Sequence, residues 1–369
     1  MHKKLIVHIA DINLSKESGM GRIAWHWKNE FENRGYDFVH IGSRQVGSVS
    51  HPGLFPYAAR KAYQDLGRKA SVFLVHEPSS GAFCDFDVPT VLFSHGLEQR
   101  KWELRLQGRD GTTEHLKLST RFLFPIWRLR QCKLGLNQSQ LILLSNHDDS
   151  IFAQEKYKKS IEQIYVFKNG AYSSSLNYKV QPESSMTVLF LGSWLERKGI
   201  GTLVEAAQIL QKKSLFPKWI LAGTGADKEK VLTDWPSELR SQVEVIPHFS
   251  QSTESSLLAS CHIFSLPSFF EGQPLALLQA MEAGRCCITT DCCGQRDLIQ
   301  HGYNGLLHEP GNSQQLASLI EQCVRDEKLR MTLGKNAKLS VKNRSWEAVS
   351  SEVVDCVENV LHSHQRETY

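Results

Sequence analysis

Ile263-Phe264-Ser265-Leu266-Pro267-Ser268-Phe269-Phe270-Glu271-Gly272-Gln273-Pro274-Leu275-Ala276-Leu277-Leu278-Gln279-Ala280-Met281 reads as one strand, one turn and one helix. The apolar run stops at Pro267, a polar loop follows, and Pro274 stands near the start of a helix, where a missing N–H is tolerated. Leu275, Leu278 and Met281 then repeat at helical spacing and read as core. Glu271, between two Phe and a Gly, has no reason to be there if packing alone is at stake. Short apolar runs of this kind recur on both sides. In the second half they fall at Thr187–Leu191, Trp219–Ala222, Val243–Ile246 and Cys287–Thr290, with helical patterns over Thr202–Lys212, Ser252–Ala259 and Ser313–Arg325. In the first half they fall at Leu5–Ala10, Asp37–Ile41, Val72–His76, Thr90–Ser94 and Leu141–Leu144, with helices over Gly21–Arg34 and Tyr57–Lys69. Strands that alternate with helices predict doubly wound, mostly parallel α/β sheets.

At 369 residues the chain exceeds the ~250–300 at which one core stops growing, so two domains are expected. The Ser-, Asn-, Pro- and Gln-rich stretch Tyr172–Ser185 reads as the linker between them. The expected organisation is therefore two Rossmann-like domains, 1–180 and 181–345, with a cleft between them and ligands beyond the carboxyl ends of the strands. Val349, Val353, Val354, Val357 and Val360 follow Ser345 at helical spacing, so residues 346–369 are expected to form a terminal helix packed across both domains. Forty-three basic against 39 acidic residues leave a net charge of +4, too small an excess for nucleic acid to be the expected partner. No apolar run reaches ~18 residues, and the opening Leu5–Ala10 run is too short for a secretory leader. Nine cysteines, an odd number, point to a reducing compartment, and the location expected is cytoplasmic.

Four glycine-bearing turns follow strands. Gly19-Met20-Gly21 opens a helix, where backbone N–H groups and the helix dipole favour an anion, although an ordinary strand-to-helix turn reads the same way. In Gly192-Ser193-Trp194-Leu195-Glu196-Arg197-Lys198-Gly199, Arg197 and Lys198 could bracket a diphosphate; the alternative is a solvated basic loop. Gly223-Thr224-Gly225 lies at the end of the next strand, and the fourth turn is the one around Glu271. A carboxylate placed there could accept hydrogen bonds from sugar hydroxyls.

At these residues the chain resembles the family 4 retaining glycosyltransferases (glycosyl transferases group 1) of the GT-B fold. The resemblance runs from Thr187 to Trp346 and rests on Pro267-Ser268, Glu271-Gly272, Pro274-Leu275 and Gln279-Ala280-Met281, where the family has Pro-Ser, Glu-Gly, Pro-Leu and Glu-Ala-Met. Gly294, Asp297, Ile299, Gly302-Tyr303-Asn304-Gly305-Leu306-Leu307, Pro310, Lys198-Gly199 and Ser345-Trp346-Glu347 extend it. The first half matches more loosely, at Gly19-Met20-Gly21-Arg22, Ser94-His95-Gly96-Leu97-Glu98 and Asn169-Gly170. The resemblance implies a transfer of a sugar, with retention, from a nucleoside-diphosphate sugar to an acceptor hydroxyl of a glycan, a lipid-linked glycan or a small molecule. No metal and no cofactor beyond that co-substrate are implied. Donor contacts would come from Gly19, Gly21, Ser193, Arg197, Lys198, Gly223, Gly225, Glu271, Gly272, Gln273, Pro274, Leu275 and Gln279, with His248 and Phe249 near the base. Lys198 would meet the leaving diphosphate, Glu271 the sugar hydroxyls, and His95 the donor sugar; the acceptor would lie in the first domain. Three positions depart from the family: Gln279 replaces the ribose-binding Glu, Ser193 replaces a frequent Arg, and Cys293-Gly294-Gln295-Arg296-Asp297 replaces Gly-Gly-x-x-Glu. Gln279 and Ser193 keep one rival in view, a nucleotide-sugar-binding protein with lost or weak turnover; a second rival is a GT-B epimerase acting on the donor alone.

Two further features have alternative readings. Cys286-Cys287 and Cys292-Cys293 suggest zinc, but adjacent cysteines converge poorly on one ion, and small buried apolar residues account for them. Residues 121–133 (Arg121 to Lys133) are basic, aromatic and amphipathic, and would suit peripheral contact with the inner face of a membrane or a helix packed on the sheet, broken at Pro125. The polar span Glu98–Leu118 reads as a lid on the acceptor side.

Overall fold

The computed structural model describes residues 3–16, 19–171 and 185–367, which form two compact units. All of the Tyr172–Ser185 linker except Ser185 lies outside the described residues.

The first unit is built on six parallel strands: β1 (Leu5–Ile9), β2 (Asp37–Ile41), β3 (Val72–His76), β4 (Thr90–Ser94), β5 (Leu141–Leu144) and β6 (Ile164–Val166), in the order β2-β1-β3-β4-β5-β6. The central strands β1, β4 and β5 are buried along their whole length, as expected of a sheet covered by helices on both faces. His8 lies on β1 with no exposed surface, between the rings of Phe38 (5.7 Å) and Phe93 (5.1 Å), with its Nδ1 2.8 Å from Nδ1 of His40. The terminal helix Trp346–Glu367 belongs to this unit and packs on the helix Gly19–Asn33. Arg34 Nη1 donates to Asp355 (2.6 Å) and Glu358 (2.8 Å), Tyr165 donates to Glu352 (2.7 Å), and Trp346 stacks on His26 at 4.2 Å.

Pro125 does not break its helix. The backbone runs from the helix Leu118–Phe124 through a wide π-turn, Pro125–Leu129, into the helix Arg130–Gln138. Proline has no N–H and crowds the carbonyl one turn back; the wider turn relieves both, and Arg130 N–H donates five residues back to the Pro125 carbonyl.

The second unit repeats the plan with β7 (Thr187–Leu191), β8 (Lys218–Ala222), β9 (Val243–Ile246), β10 (Ile263–Leu266), β11 (Cys286–Thr290) and β12 (Leu306–His308), all parallel, in the order β12-β11-β10-β7-β8-β9. Cys286 and Cys287 are core residues of β11, and Cys286 Sγ lies 3.5 Å from Cys323 Sγ. Among the described residues no three His, Cys, Asp or Glu side chains gather as ligands for an ion. The segment Leu104–Thr113 groups with this unit: Leu104 packs on Phe270, Cys292 and Cys293, and Gly111 lies against the Phe269 ring.

The strand order fixes where chemistry can occur. After β7 the chain builds outward to β8 and β9, then crosses back to lay β10 on the other side of β7. At that reversal the loops after β7 and β10 emerge side by side at the carboxyl ends of the strands, the place where sheets of this kind bind ligands. In the first unit the reversal falls between β1 and β3.

Candidate active site

The loops after β7 and β10 carry Lys198 and Glu271, and at the reversal the Lys198 ammonium donates to Glu271 Oε1. Their side chains are only 15% and 11% exposed. Burial pushes the Glu271 carboxyl up, but Lys198 and then Arg197 outweigh it and hold the pKa below the ordinary glutamate value. Glu271 is therefore an ionised acceptor at neutral pH. The two loops are locked together by their backbones as well. Phe269 N–H donates to the Arg197 carbonyl (2.9 Å), and Gly199 has φ +74 with its Cα so close to Pro267 that a Cβ would lie 2.0 Å from that carbonyl oxygen. Only glycine fits there, which explains Lys198-Gly199 as a pair. Thr113 donates through its N–H to Glu196 (2.9 Å), bracing the same loop from the Leu104–Thr113 segment.

The neighbouring loops continue this rim. Gly192 N–H donates to Ala222 O (2.9 Å), Trp194 N–H to Thr224 O (2.8 Å), Gly223 N–H to Ile246 O (2.8 Å) and Gly225 N–H to Pro247 O (3.1 Å). Ser193, Arg197, Gly225 and His248 are exposed along it. Gly223 has φ +73, and Phe249 sits over it so closely that a Cβ would come within 2.7 Å of the ring. Thus Ser193, Arg197, Lys198, Gly223, Gly225, Phe249 and Glu271, far apart in sequence, share one edge of the second unit.

On the β10 side Pro274 is the N-cap of the helix Leu275–Glu282, which carries Gln279 half-buried. Leu275 packs against the core, and Gln273 is buried and accepts from Arg344 Nη1 (3.1 Å). Gly272 meets the next turn: a Cβ on Gly294 would lie 1.6 Å from the Gly272 carbonyl. Beside it Cys293 adopts φ +50, a left-handed conformation that glycine takes with least strain, at the first glycine of the family's Gly-Gly pair. Gln295, which sequence reasoning missed, is buried and donates to Ser268 O (3.1 Å) and Thr290 Oγ1 (2.8 Å), tying β11 to the Glu271 loop.

In the first unit Gly19 and Gly21 form the first turn of the helix Gly19–Asn33, so the helix starts earlier than the pattern suggested. With Ile12–Ser15, Met20 and Arg44 they line a hollow of about 550 Å³ beside β1. His95 follows β4, near the rings of Phe93 (5.8 Å), His76 (5.9 Å) and Phe167 (5.6 Å), and burial with the Lys101 charge lowers its pKa to about 3. It is a neutral imidazole. The loop that presents it is held by two buried carboxylates not foreseen from sequence: Glu77 accepts from Ser94 Oγ (2.8 Å) and Glu98 N–H (3.1 Å), and Asp149 from Leu97 N–H (3.1 Å). Burial, with the Glu98 charge beside it, raises the Glu77 pKa to about 8.

Residues 177–340 match the family described as Glycosyl transferases group 1. The N,N'-diacetylbacillosaminyl-diphospho-undecaprenol alpha-1,3-N-acetylgalactosaminyltransferase of Campylobacter jejuni is 30% identical over 206 residues, 55% of this chain and only half (50%) of the relative's length. An uncharacterized glycosyltransferase of Haemophilus influenzae is 23% identical over 92% of this chain and 96% of its own. In fold, the chain is similar to sucrose-phosphate synthase of Thermosynechococcus elongatus, with TM-score 0.78 and 17% identity over 98% of this chain and 100% of that one. Two parallel six-stranded α/β units give the chain a fold of GT-B type, and its second unit matches the glycosyl transferases group 1 over residues 177–340.

Proposed function

We propose that the chain is a retaining glycosyltransferase that moves a sugar from a nucleoside-diphosphate sugar to an acceptor hydroxyl without the help of a divalent ion. The observation that carries this reading is the meeting of Lys198 and Glu271 at the sheet reversal of the second unit. The diphosphate replaces Glu271 as the partner of Lys198, with Arg197 beside it, and the released carboxylate accepts hydrogen bonds from the sugar hydroxyls. As the bond between the anomeric carbon and the phosphate oxygen breaks, negative charge grows on the diphosphate, where Lys198 is already placed; such preorganised charge is worth ~10²–10³ in kcat. The acceptor oxygen bonds to the anomeric carbon on the face that the diphosphate leaves, and its proton passes to the departing phosphate oxygen. An ionised Glu271 suits binding rather than acid catalysis, and no carboxylate nucleophile is assigned. The base is assigned to Gly223, Gly225, His248 and Phe249, and the ribose to Gln279. The Campylobacter relative is named for a substrate linked to undecaprenol diphosphate, which supports a lipid-linked acceptor.

Thermal shift with UDP, GDP, ADP and their sugars tests the donor, because a ligand bound only to the native state raises the melting temperature. One nucleoside diphosphate should stabilise the wild type and lose that effect in Lys198→Ala. No response to any of them, or an equal response in the variant, would remove the assignment. Gln279 and Ser193 favour one second reading, a binder of nucleotide sugars without turnover. Release of sugar or nucleoside diphosphate from the stabilising donor separates the two.

A further inference from the structure

The segment 118–133 of the first unit, which by sequence suited either a membrane surface or packing on the sheet, is anchored on one side and exposed on the other. Leu118, Phe122, Leu123, Ile126 and Trp127, all between the helix start at Leu118 and the π-turn, are 73%, 68%, 54%, 59% and 53% exposed. The segment is anchored from the other side: Leu129, Cys132, Gly135 and Leu136 are buried, and Phe124 stacks on Trp102 at 4.7 Å. The π-turn at Pro125 shifts the helical phase between the two helices that flank it, so an anchored Arg130–Gln138 helix can carry an outward-facing apolar turn before it. The patch continues across the chain, because Trp127 lies 5.8 Å from the His51 ring, and Leu54 and Tyr57 just beyond are 38% and 56% exposed. From Lys117 to Lys133 inclusive there are five basic residues and no acidic one. Arg128 turns inward to Glu98 (3.0 Å), while Lys117, Arg121, Arg130 and Lys133 are exposed around the apolar side chains.

We propose that this helix is where the chain docks on an anionic lipid bilayer. Phe122, Leu123, Ile126 and Trp127 enter the boundary between headgroups and acyl chains, and Lys117, Arg121, Arg130 and Lys133 meet lipid phosphates. Aromatic and aliphatic side chains ringed by cations on one helical segment are the pattern that holds a protein in the plane of such an interface. A second copy of the chain is disfavoured as the occupant. Self-association about a two-fold axis brings the same patch against itself and would oppose two sets of cations. Among the described residues no helix is long and apolar enough to cross a membrane, so the contact is with the surface. The inference is independent of the donor assignment, since none of these residues is placed in the donor site.

The test is flotation of the full chain with vesicles of phosphatidylcholine alone or mixed with phosphatidylglycerol. Partition into the anionic vesicles should exceed that into neutral ones by roughly tenfold and fall as salt is raised. Phe122→Glu/Trp127→Glu should cut binding by about tenfold or more, because charge placed in the apolar layer opposes insertion. Arg121→Glu/Lys133→Glu should bring anionic vesicles down to the neutral level. All four side chains are exposed, so circular dichroism and melting should stay at wild type; Phe122→Ser/Trp127→Ser provides a milder pair. Equal binding by wild type and both apolar variants would overturn the proposal. So would absence of binding to anionic vesicles, or a dimer in sedimentation that the same substitutions dissolve without any vesicle binding.

Discussion

Replacing Lys198 by Met removes the cation from a pair whose side chains are 15% and 11% exposed. Breaking a buried pair by removing one partner costs ~3–5 kcal/mol. Glu271 keeps the Arg197 charge nearby and retains some exposed surface, so about 2–3 kcal/mol is expected. For a domain of roughly 150–250 residues at ~2–4 °C per kcal/mol, the melting temperature should fall roughly 4–12 °C. Glu271→Gln, which leaves a flexible lysine able to turn toward solvent, should cost only ~1 kcal/mol. The double variant Lys198→Met/Glu271→Gln buries no unpaired charge and should recover most of the loss, giving a coupling of ~1.5–3 kcal/mol. Turnover should behave differently: each single variant and the double should all lose ~10²–10³ in kcat, because stability without charge does not neutralise a leaving diphosphate. The pH dependence carries a further sign. Lys198 holds the Glu271 pKa below the unfolded value, so the pair's contribution is complete above about pH 4.5 and is lost as the pH falls through the folded pKa. Lys198→Met should flatten that part of the acid limb. Melting curves followed by circular dichroism, with donor turnover on the same samples, decide it. Stability losses that simply add in the double variant, or wild-type turnover in Lys198→Met, would refute the reasoning.

The first unit should be acid-sensitive for a separate reason. His8 and His76 are held well below 6.5 and His95 at about 3, in each case first by burial, so the unfolded chain takes up protons below about pH 6.5 that the native one refuses, and stability falls as the pH drops from there. Glu77 acts in the opposite sense: with a folded pKa of about 8 its contribution is complete below about pH 4.5 and is lost progressively as the pH rises from there through 8, and Glu77→Gln should remove that decline; an unchanged slope between about pH 6.5 and 8 would refute it. Gly199→Ala should cost ~1–3 kcal/mol, because φ is +74 and the new Cβ would lie 2.0 Å from Pro267 O, and it should depress turnover; Gly201→Ala, with open space around it, should do neither. Chelator should leave the transfer rate unchanged, and restoration by added divalent ion after a complete loss would count against the proposed charge neutralisation.

What could be read from sequence follows from where the physical signal resides. Strands buried on both faces, such as β5 (Leu-Ile-Leu-Leu) and β7, stand out as apolar runs whatever surrounds them. The three-residue edge strands β6 and β12 are too short to have a period and exist because a neighbouring strand pairs with them. Lys198 and Glu271 were each visible as strand-end residues, but their meeting across 73 positions depends on β10 entering beside β7. Glu77 left no trace in a local pattern: the burial that raises its pKa, and the Glu98 charge that adds to it, follow from the β3–β4 register, which also brings Ser94 onto its carboxyl. Pro125 misled for a related reason, since propensity forbids the regular helix but not the wider turn that tertiary anchoring by Leu129 and Cys132 holds in place.

The most direct measurement is a crystal structure of the chain with the nucleoside-diphosphate sugar that thermal shift selects. The diphosphate should lie within hydrogen-bonding reach of Lys198 Nζ and the sugar hydroxyls on the Glu271 carboxylate, with the ion pair between the two opened. A diphosphate bound elsewhere while Lys198 and Glu271 remain paired would contradict it.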